Sequence, residues 1–173
     1  MFDQDGSLEV NNPEGNQDKA AIHDIFLESL PESFNNFTIA QISDLHVGPT
    51  IKRPYVENVL DKISIHNPDL IAVTGDLVDG SVQYLRSDLA PLKDMIAPFG
   101  TYFVTGNHEY YSGVDLWLDE TDRLGMKNLI NSNELVSRLG DQIAIAGITD
   151  FKAHQIKPTH KSNPGPVSYT HLT

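Results

Sequence analysis

Asp44 and His46 stand two residues apart, a spacing that lets an extended or turning segment aim a carboxylate and an imidazole the same way. One oxygen and one nitrogen ligand suit borderline metals such as Mn, Fe, Zn or Co better than Ca. Asp76 directly follows Gly75, where the missing Cβ permits a sharp turn, so its carboxylate could bridge two ions. In Gly106-Asn107-His108-Glu109, Asn107 offers a neutral amide oxygen, and His108 could donate a proton to a departing alkoxide or stabilise its charge. Asp79 could hydrogen-bond the other nitrogen of His108 and fix its tautomer. Each motif alone also has a plain structural reading. Asp44 could be a cap beside a surface histidine, Gly75-Asp76 a turn and helix cap, and Asn107-His108 a polar loop. All three in order, each where a strand is predicted to end, favour metal-assisted hydrolysis of a phosphate ester.

Such a site needs three loops on one rim. The pattern from Phe37 onward predicts strand, loop and helix in repetition. Strands are predicted at 38–43, at 70–74 (a continuous apolar run of the buried parallel type) and at 100–105. A helix is predicted to begin at Pro54 with the stripe Val56, Val59, Leu60, Ile63. A second, at 82–96, places Leu85, Leu89, Leu92 and Ile96 on one face, with a kink or break at Pro91. Ser112 is predicted to cap a third helix that runs through Leu124 and ends at Gly125. Short strands follow at 135–139 and 143–147. Alternation of this kind implies an α/β domain with a parallel sheet, whose ligands bind beyond the carboxyl ends of the strands. Residues 1–36 read as an acidic flexible arm with a candidate edge strand at 22–27.

The 173 residues suffice for one domain with a real core. There is no cysteine, which excludes thiolate ligation and disulfides. No apolar run reaches a membrane span of roughly 18 residues. The net charge of −12 argues against a nonspecific grip on nucleic acid. Much of that charge lies in residues 1–37, which contain a single base, Lys19.

The motifs Ile42-Ser43-Asp44-Leu45-His46-Val47-Gly48 and Val104-Thr105-Gly106-Asn107-His108-Glu109 closely resemble those of the calcineurin-like metallophosphoesterase superfamily, in particular its small bacterial phosphoesterases. The resemblance covers residues 37–158 and implies a β-sandwich flanked by helices, here its N-terminal half. It implies two divalent metal ions, with Mn, Fe or Zn expected. Asp44 and His46 would bind the first, Asp76 would bridge both, and Asn107 would bind the second. His108 would be the acid, paired with Asp79. Metal-bound hydroxide would attack phosphorus in line, and the substrate would be a small phosphomonoester or phosphodiester. Further readings are a nucleotide-lipid pyrophosphatase or nuclease of the same superfamily, or a binding domain that keeps the fold without the chemistry.

Two departures stand out. Gly80-Ser81 follow Asp79 where the protein Ser/Thr phosphatase branch has an arginine, which disfavours a phosphoprotein substrate. The family's later Gly-His-x-His motif is also absent, so this chain alone is expected to turn over slowly or not at all. His154 and His160 are expected to decorate a polar loop. Residues 167–173 resemble translated sequencing adapter, so a non-native tail is expected there, with the domain proper at 37–166 and no function for His171. The localisation expected is cytoplasmic, or membrane-associated through a segment absent from this chain.

Overall fold

The computed structural model describes residues 21–167. The chain divides into two compact units, Met1–Glu32 and Ser33–Thr173. In the first unit the strand expected at 22–27 does not form, because no segment among the described residues pairs with its backbone. The acidic arm at 1–19 and His171 lie outside the described residues.

The second unit holds a four-stranded parallel sheet in the order β1-β2-β3-β4, formed by β1 (Ile39–Ile42), β2 (Leu70–Val73), β3 (Thr101–Phe103) and β4 (Lys127–Asn128). β2 lies between β1 and β3, and its Leu70, Ile71 and Val73 are buried, as a continuous apolar run requires. α1 (Arg53–His66) crosses from β1 to β2; Pro54 sits in its first turn, and Asn67 ends it in the left-handed region. Between β2 and β3, α2 (Val82–Leu89) stops short of the expected Ile96. Pro91 has no N–H to extend the helix, and the chain tightens into a 3-10 turn at Ala90–Asp94. Leu85, Leu89 and Leu92 stay in the core, whereas Ile96, past the break, is exposed.

After β3 come a short helix, α3 (Asn107–Tyr111), and then α4 (Val114–Arg123). Ser112 does not cap α4. It closes α3 by donating its N–H to the His108 carbonyl, and Gly113 at φ 96° starts α4. β5 (Ser132–Arg138) and β6 (Asp141–Gly147) form an antiparallel hairpin. Leu139 and Gly140 make its two-residue turn, both with positive φ. Gly147 seats the hairpin's end against the residues just past β3 and β4. A Cβ there would lie 2.5 Å from Val104 Cγ1 and 2.4 Å from Leu129 Cβ.

One apolar cluster fills the space between sheet and helices. It includes Val56, Ile71, Val73, Leu85, Leu89, Phe103 and Trp117. Leu45, Leu77 and Val78, which lie between the chemistry-bearing residues of the first two motifs, and Val47, which follows His46, also belong to it.

Candidate metal centre

The first two motifs leave the carboxyl ends of β1 and β2 together and keep pairing beyond the sheet. Asp44 N–H donates to the Gly75 carbonyl at 3.2 Å, His46 N–H to Asp76 at 3.0 Å and Val47 N–H to Leu77 at 2.9 Å. Asp79 N–H returns a bond to Val47 at 2.8 Å, and Val47 stands opposite Val78 in a parallel bridge. Leu45 and Val47, with Leu77 and Val78, are buried as apolar plugs, while Asp44, His46, Asp76 and Asp79 remain accessible. The buried apolar residues therefore anchor the loops and leave the polar side chains between and beside them accessible.

The third motif meets this pair edge-on, through two glycines. A Cβ on Gly75 would lie 2.3 Å from Gly106 N, and one on Gly106 would lie 2.2 Å from Asp76 Oδ1. No side chain fits at either contact. His108 N–H donates to Asp76 Oδ1 at 2.9 Å, so the third motif also sets the direction of that carboxylate.

Asp79 joins the two histidines. Its Oδ1 accepts from His108 Nδ1 at 2.5 Å and from His46 Nδ1 at 3.0 Å, and the two rings pack edge to face at 4.5 Å. An ionised carboxylate only accepts, so both Nδ1 atoms carry hydrogen and both Nε2 atoms are left for a ligand or a proton. Burial pushes the Asp79 carboxyl up, but the hydrogen bonds from His46 and His108 outweigh it and hold the group below its ordinary range. The Asp79 bond in turn raises His46 above the usual imidazole value, against partial desolvation. The sequence reading pairs Asp79 with His108; the bond to His46 is a second contact of the same oxygen.

His46, Asp76 and His108 each place a ligand atom within 4.8 Å of the others. Asp44 lies just outside this group, with Oδ1 3.7 Å from His46 Nε2 and Oδ2 accepting from the Ser43 hydroxyl. Asn107 is half-buried at the first position of α3. Nitrogen and oxygen donors gathered at this spacing could hold a divalent cation.

Two residues escaped sequence reasoning. Glu109 is 1% exposed, and its carboxylate accepts from three backbone N–H groups: Gly106 at 2.7 Å, Leu77 at 2.8 Å and Asp76 at 3.0 Å. Burial pushes its carboxyl up while those three donors oppose the shift. Its position three residues after the helix-capping Gly106 is a capping-box spacing and was a usable signal. His160 does not decorate a polar loop: it is buried, and its Nδ1 shares a 2.9 Å hydrogen bond with the Tyr110 hydroxyl. That hydroxyl also meets Thr105 Oγ1 at 3.1 Å, so His160 is tied to the strand end that carries the third motif. Burial lowers its imidazole pKa, and nearby Lys157 lowers it further. His154 is exposed, as expected, and donates to the Phe151 carbonyl at 3.1 Å.

Carboxylates and imidazoles gathered past the carboxyl edge of a parallel α/β sheet form a group that could hold a metal ion where such sheets bind their ligands. The chain belongs to the calcineurin-like phosphoesterase family, whose model matches residues 37–167. This is a family of metal-dependent phosphoester hydrolases. The chain is 38% identical over 142 residues to a "Transmembrane protein with metallophosphoesterase domain" of Danio rerio, covering 79% of this chain and 32% of that one. The protein of the same name from Bos taurus is 38% identical over 132 residues, or 72% of this chain and 30% of the relative. An "Uncharacterized metallophosphoesterase" of Helicobacter pylori is 32% identical over 131 residues, 76% and 34% of the two chains. The chain thus spans about a third of the length of these curated relatives, at 32%, 30% and 34%.

Proposed function

We propose that this chain forms catalytic machinery of a phosphoesterase that hydrolyses a small phosphomonoester or phosphodiester with two divalent ions, Mn, Fe or Zn. In this reading Asp44 and His46 would hold the first ion, Asp76 would contribute to both, and Asn107 would hold the second. When bound, the ions supply Lewis-acid stabilisation of phosphoryl charge and a nucleophile at neutral pH. The chain's own residues do the rest. His108, its Nδ1–H engaged by Asp79, presents Nε2 as the group that delivers a proton to the leaving oxygen. Asp79 keeps that tautomer and offsets the positive charge of the protonated ring. Through its 3.0 Å bond to His46 Nδ1, the same oxygen leaves His46 Nε2 as a metal ligand. The single observation that carries this reading is Asp79 Oδ1 shared by His46 and His108 beside the Asp76 carboxylate.

Membrane association belongs to the same proposal, because two vertebrate relatives carry the word transmembrane in their names. It would have to come from outside the described residues, among which no helix is long and apolar enough to cross a membrane.

His108→Ala in the full-length protein tests the chemistry. Turnover of esters with poor leaving groups, such as alkyl phosphates, should fall on the order of 100-fold or more, and that of nitrophenyl esters far less. Equal losses on both would remove His108 from the acid role.

A further inference from the structure

Glu109 takes no part in the chemistry just proposed, yet it is among the most completely buried side chains of the second unit. Its three donors come from two loops. Gly106 N–H is local, whereas Asp76 N–H and Leu77 N–H belong to the second motif, 33 and 32 residues away. Asp76 is thus held at three points by the third motif. Glu109 takes its N–H, His108 N–H takes its Oδ1 at 2.9 Å, and Gly106 packs where any Cβ would collide with its carboxylate. Asp76 adopts a left-handed backbone at φ 50°, which aspartate reaches more readily than most residues but which still costs more than extended backbone, so these contacts help to hold it there.

Packing alone does not account for the choice of Glu. An apolar side chain of similar size would fill the same space but leave three buried N–H groups without acceptors. Glutamine keeps one oxygen and turns an NH2 group towards donors. Only a carboxylate offers two acceptor atoms to three converging N–H groups.

We propose that Glu109 is a positioning residue that sets the metal affinity of the centre by fixing the backbone of Asp76. This rests on the metal-centre reading above. Mn2+ titration calorimetry on the full-length protein tests it, with Glu109→Gln, Glu109→Asp and Asp76→Asn run alongside the parent. Glu109→Gln should bind Mn2+ roughly 10- to 100-fold more weakly, the usual effect of losing a group that orients a ligand. Glu109→Asp, which keeps the carboxylate, should recover part of that loss. Mn2+ binding by Glu109→Gln within twofold of the parent would overturn the inference, as would a Glu109→Asp no better than Glu109→Gln. Where Asp76→Asn loses Mn2+ and Glu109→Gln does not, this inference fails while the metal centre stands. Where Asp76→Asn binds normally, the metal centre itself fails. If Glu109→Gln does not fold, amide hydrogen exchange of the unmutated protein decides. The amides of Gly106, Asp76 and Leu77 should be protected together and slow further when Zn2+ is added. Fast exchange, or no response to Zn2+, overturns the proposal.

Discussion

Gly106→Ala is the most direct probe of how the three loops are assembled. The residue's own backbone, at φ −88° and ψ −171°, is extended and open to any amino acid, so alanine costs nothing in local conformation. The whole effect is therefore steric. The new Cβ would lie 2.2 Å from Asp76 Oδ1, 2.7 Å from its Cγ and 2.6 Å from its N. Ordinary contact begins near 3.4 Å, so the carboxylate or the loop must retreat by about 1.2 Å. Rotating Asp76 away does not solve this, because its backbone nitrogen would still lie 2.6 Å from the new Cβ. A misplacement of about 1 Å at a reacting centre costs on the order of 100-fold in rate. Forcing a methyl into a filled contact costs about 1–3 kcal/mol of stability, and each kcal/mol moves Tm by about 2–4 °C at this chain length. The expected signature is lopsided: a modest fall in Tm and, in the full-length protein, a fall in metal-dependent hydrolysis of bis-nitrophenyl phosphate on the order of 100-fold with weaker Mn2+ binding. Hydrolysis and Mn2+ affinity within threefold of the parent would refute the interlocked arrangement of Gly75, Asp76 and Gly106.

Two further predictions concern groups away from the chemistry. Glu120 is buried on α4 and accepts from Arg123 at 2.6 Å, with Arg86 at 2.9 Å on its other side; the Arg123 bond, more than its own burial, holds its carboxyl below the ordinary range. The stabilisation is therefore full above the unfolded carboxylate pKa of roughly 4.3 and disappears as pH falls through the lower folded value. Glu120→Gln should cost about 1–3 kcal/mol in urea denaturation at pH 7, and the gap to the parent should close in acid; a gap independent of pH would contradict the pairing. Tyr110→Phe removes the hydroxyl shared by Thr105 and His160 and leaves buried polar atoms without partners. It should cost about 1–3 kcal/mol, and an unchanged Tm would show the network to be idle.

The parallel αβ repeat was legible because its signals are local: apolar runs for strands, a 3.6-residue stripe for α1, and glycine or proline at the breaks. The errors have local causes too. Leu92 and Ile96 share a helical spacing with Leu85 and Leu89, but Pro91 changes the winding between them and sends Ile96 to the surface. Ser112 is a good capping residue in the wrong place, because α3 had already used the chain from Asn107 to Tyr111. That helix is too short to show a period. His160 could not be read at all. Its partner Tyr110 is 50 residues away, and nothing in Pro158-Thr159-His160 distinguishes a buried imidazole from a loop residue. Motif chemistry transfers through sequence because ligands must be of certain types. The capping-box spacing gave Glu109 its local bond to Gly106, but its bonds to Asp76 and Leu77 and the glycine contacts are tertiary and become visible only when the loops are side by side.

Backbone conformation gives an independent mark of where function sits. Seven non-glycine residues among those described have positive φ. Asn36, Asn67 and Asn131 are asparagines, which tolerate that region, and Leu139 is forced into it by the hairpin turn. The other three are Asp44 at 57°, His46 at 47° and Asp76 at 50°, all proposed ligands. Asp and His, like Asn, reach that region more readily than most residues, but each such conformation still costs on the order of 1 kcal/mol and is held here by its surroundings. The surroundings here are identifiable. The cross-loop backbone bonds from Asp44, His46 and Val47 hold the two segments in register, and Leu45, Val47, Leu77 and Val78 bury apolar side chains at about 1.5–3 kcal/mol apiece. Relaxing Asp44 or His46 to extended backbone would misalign that register. Relaxing Asp76 would break its contacts with Gly106, His108 and Glu109 as well. Stability alone gives no reason to keep three such residues adjacent in space, since glycine or asparagine would adopt the same backbone at lower cost. What glycine cannot supply is a carboxylate or an imidazole at that position, which is what the proposed metal ligation requires of Asp44, His46 and Asp76.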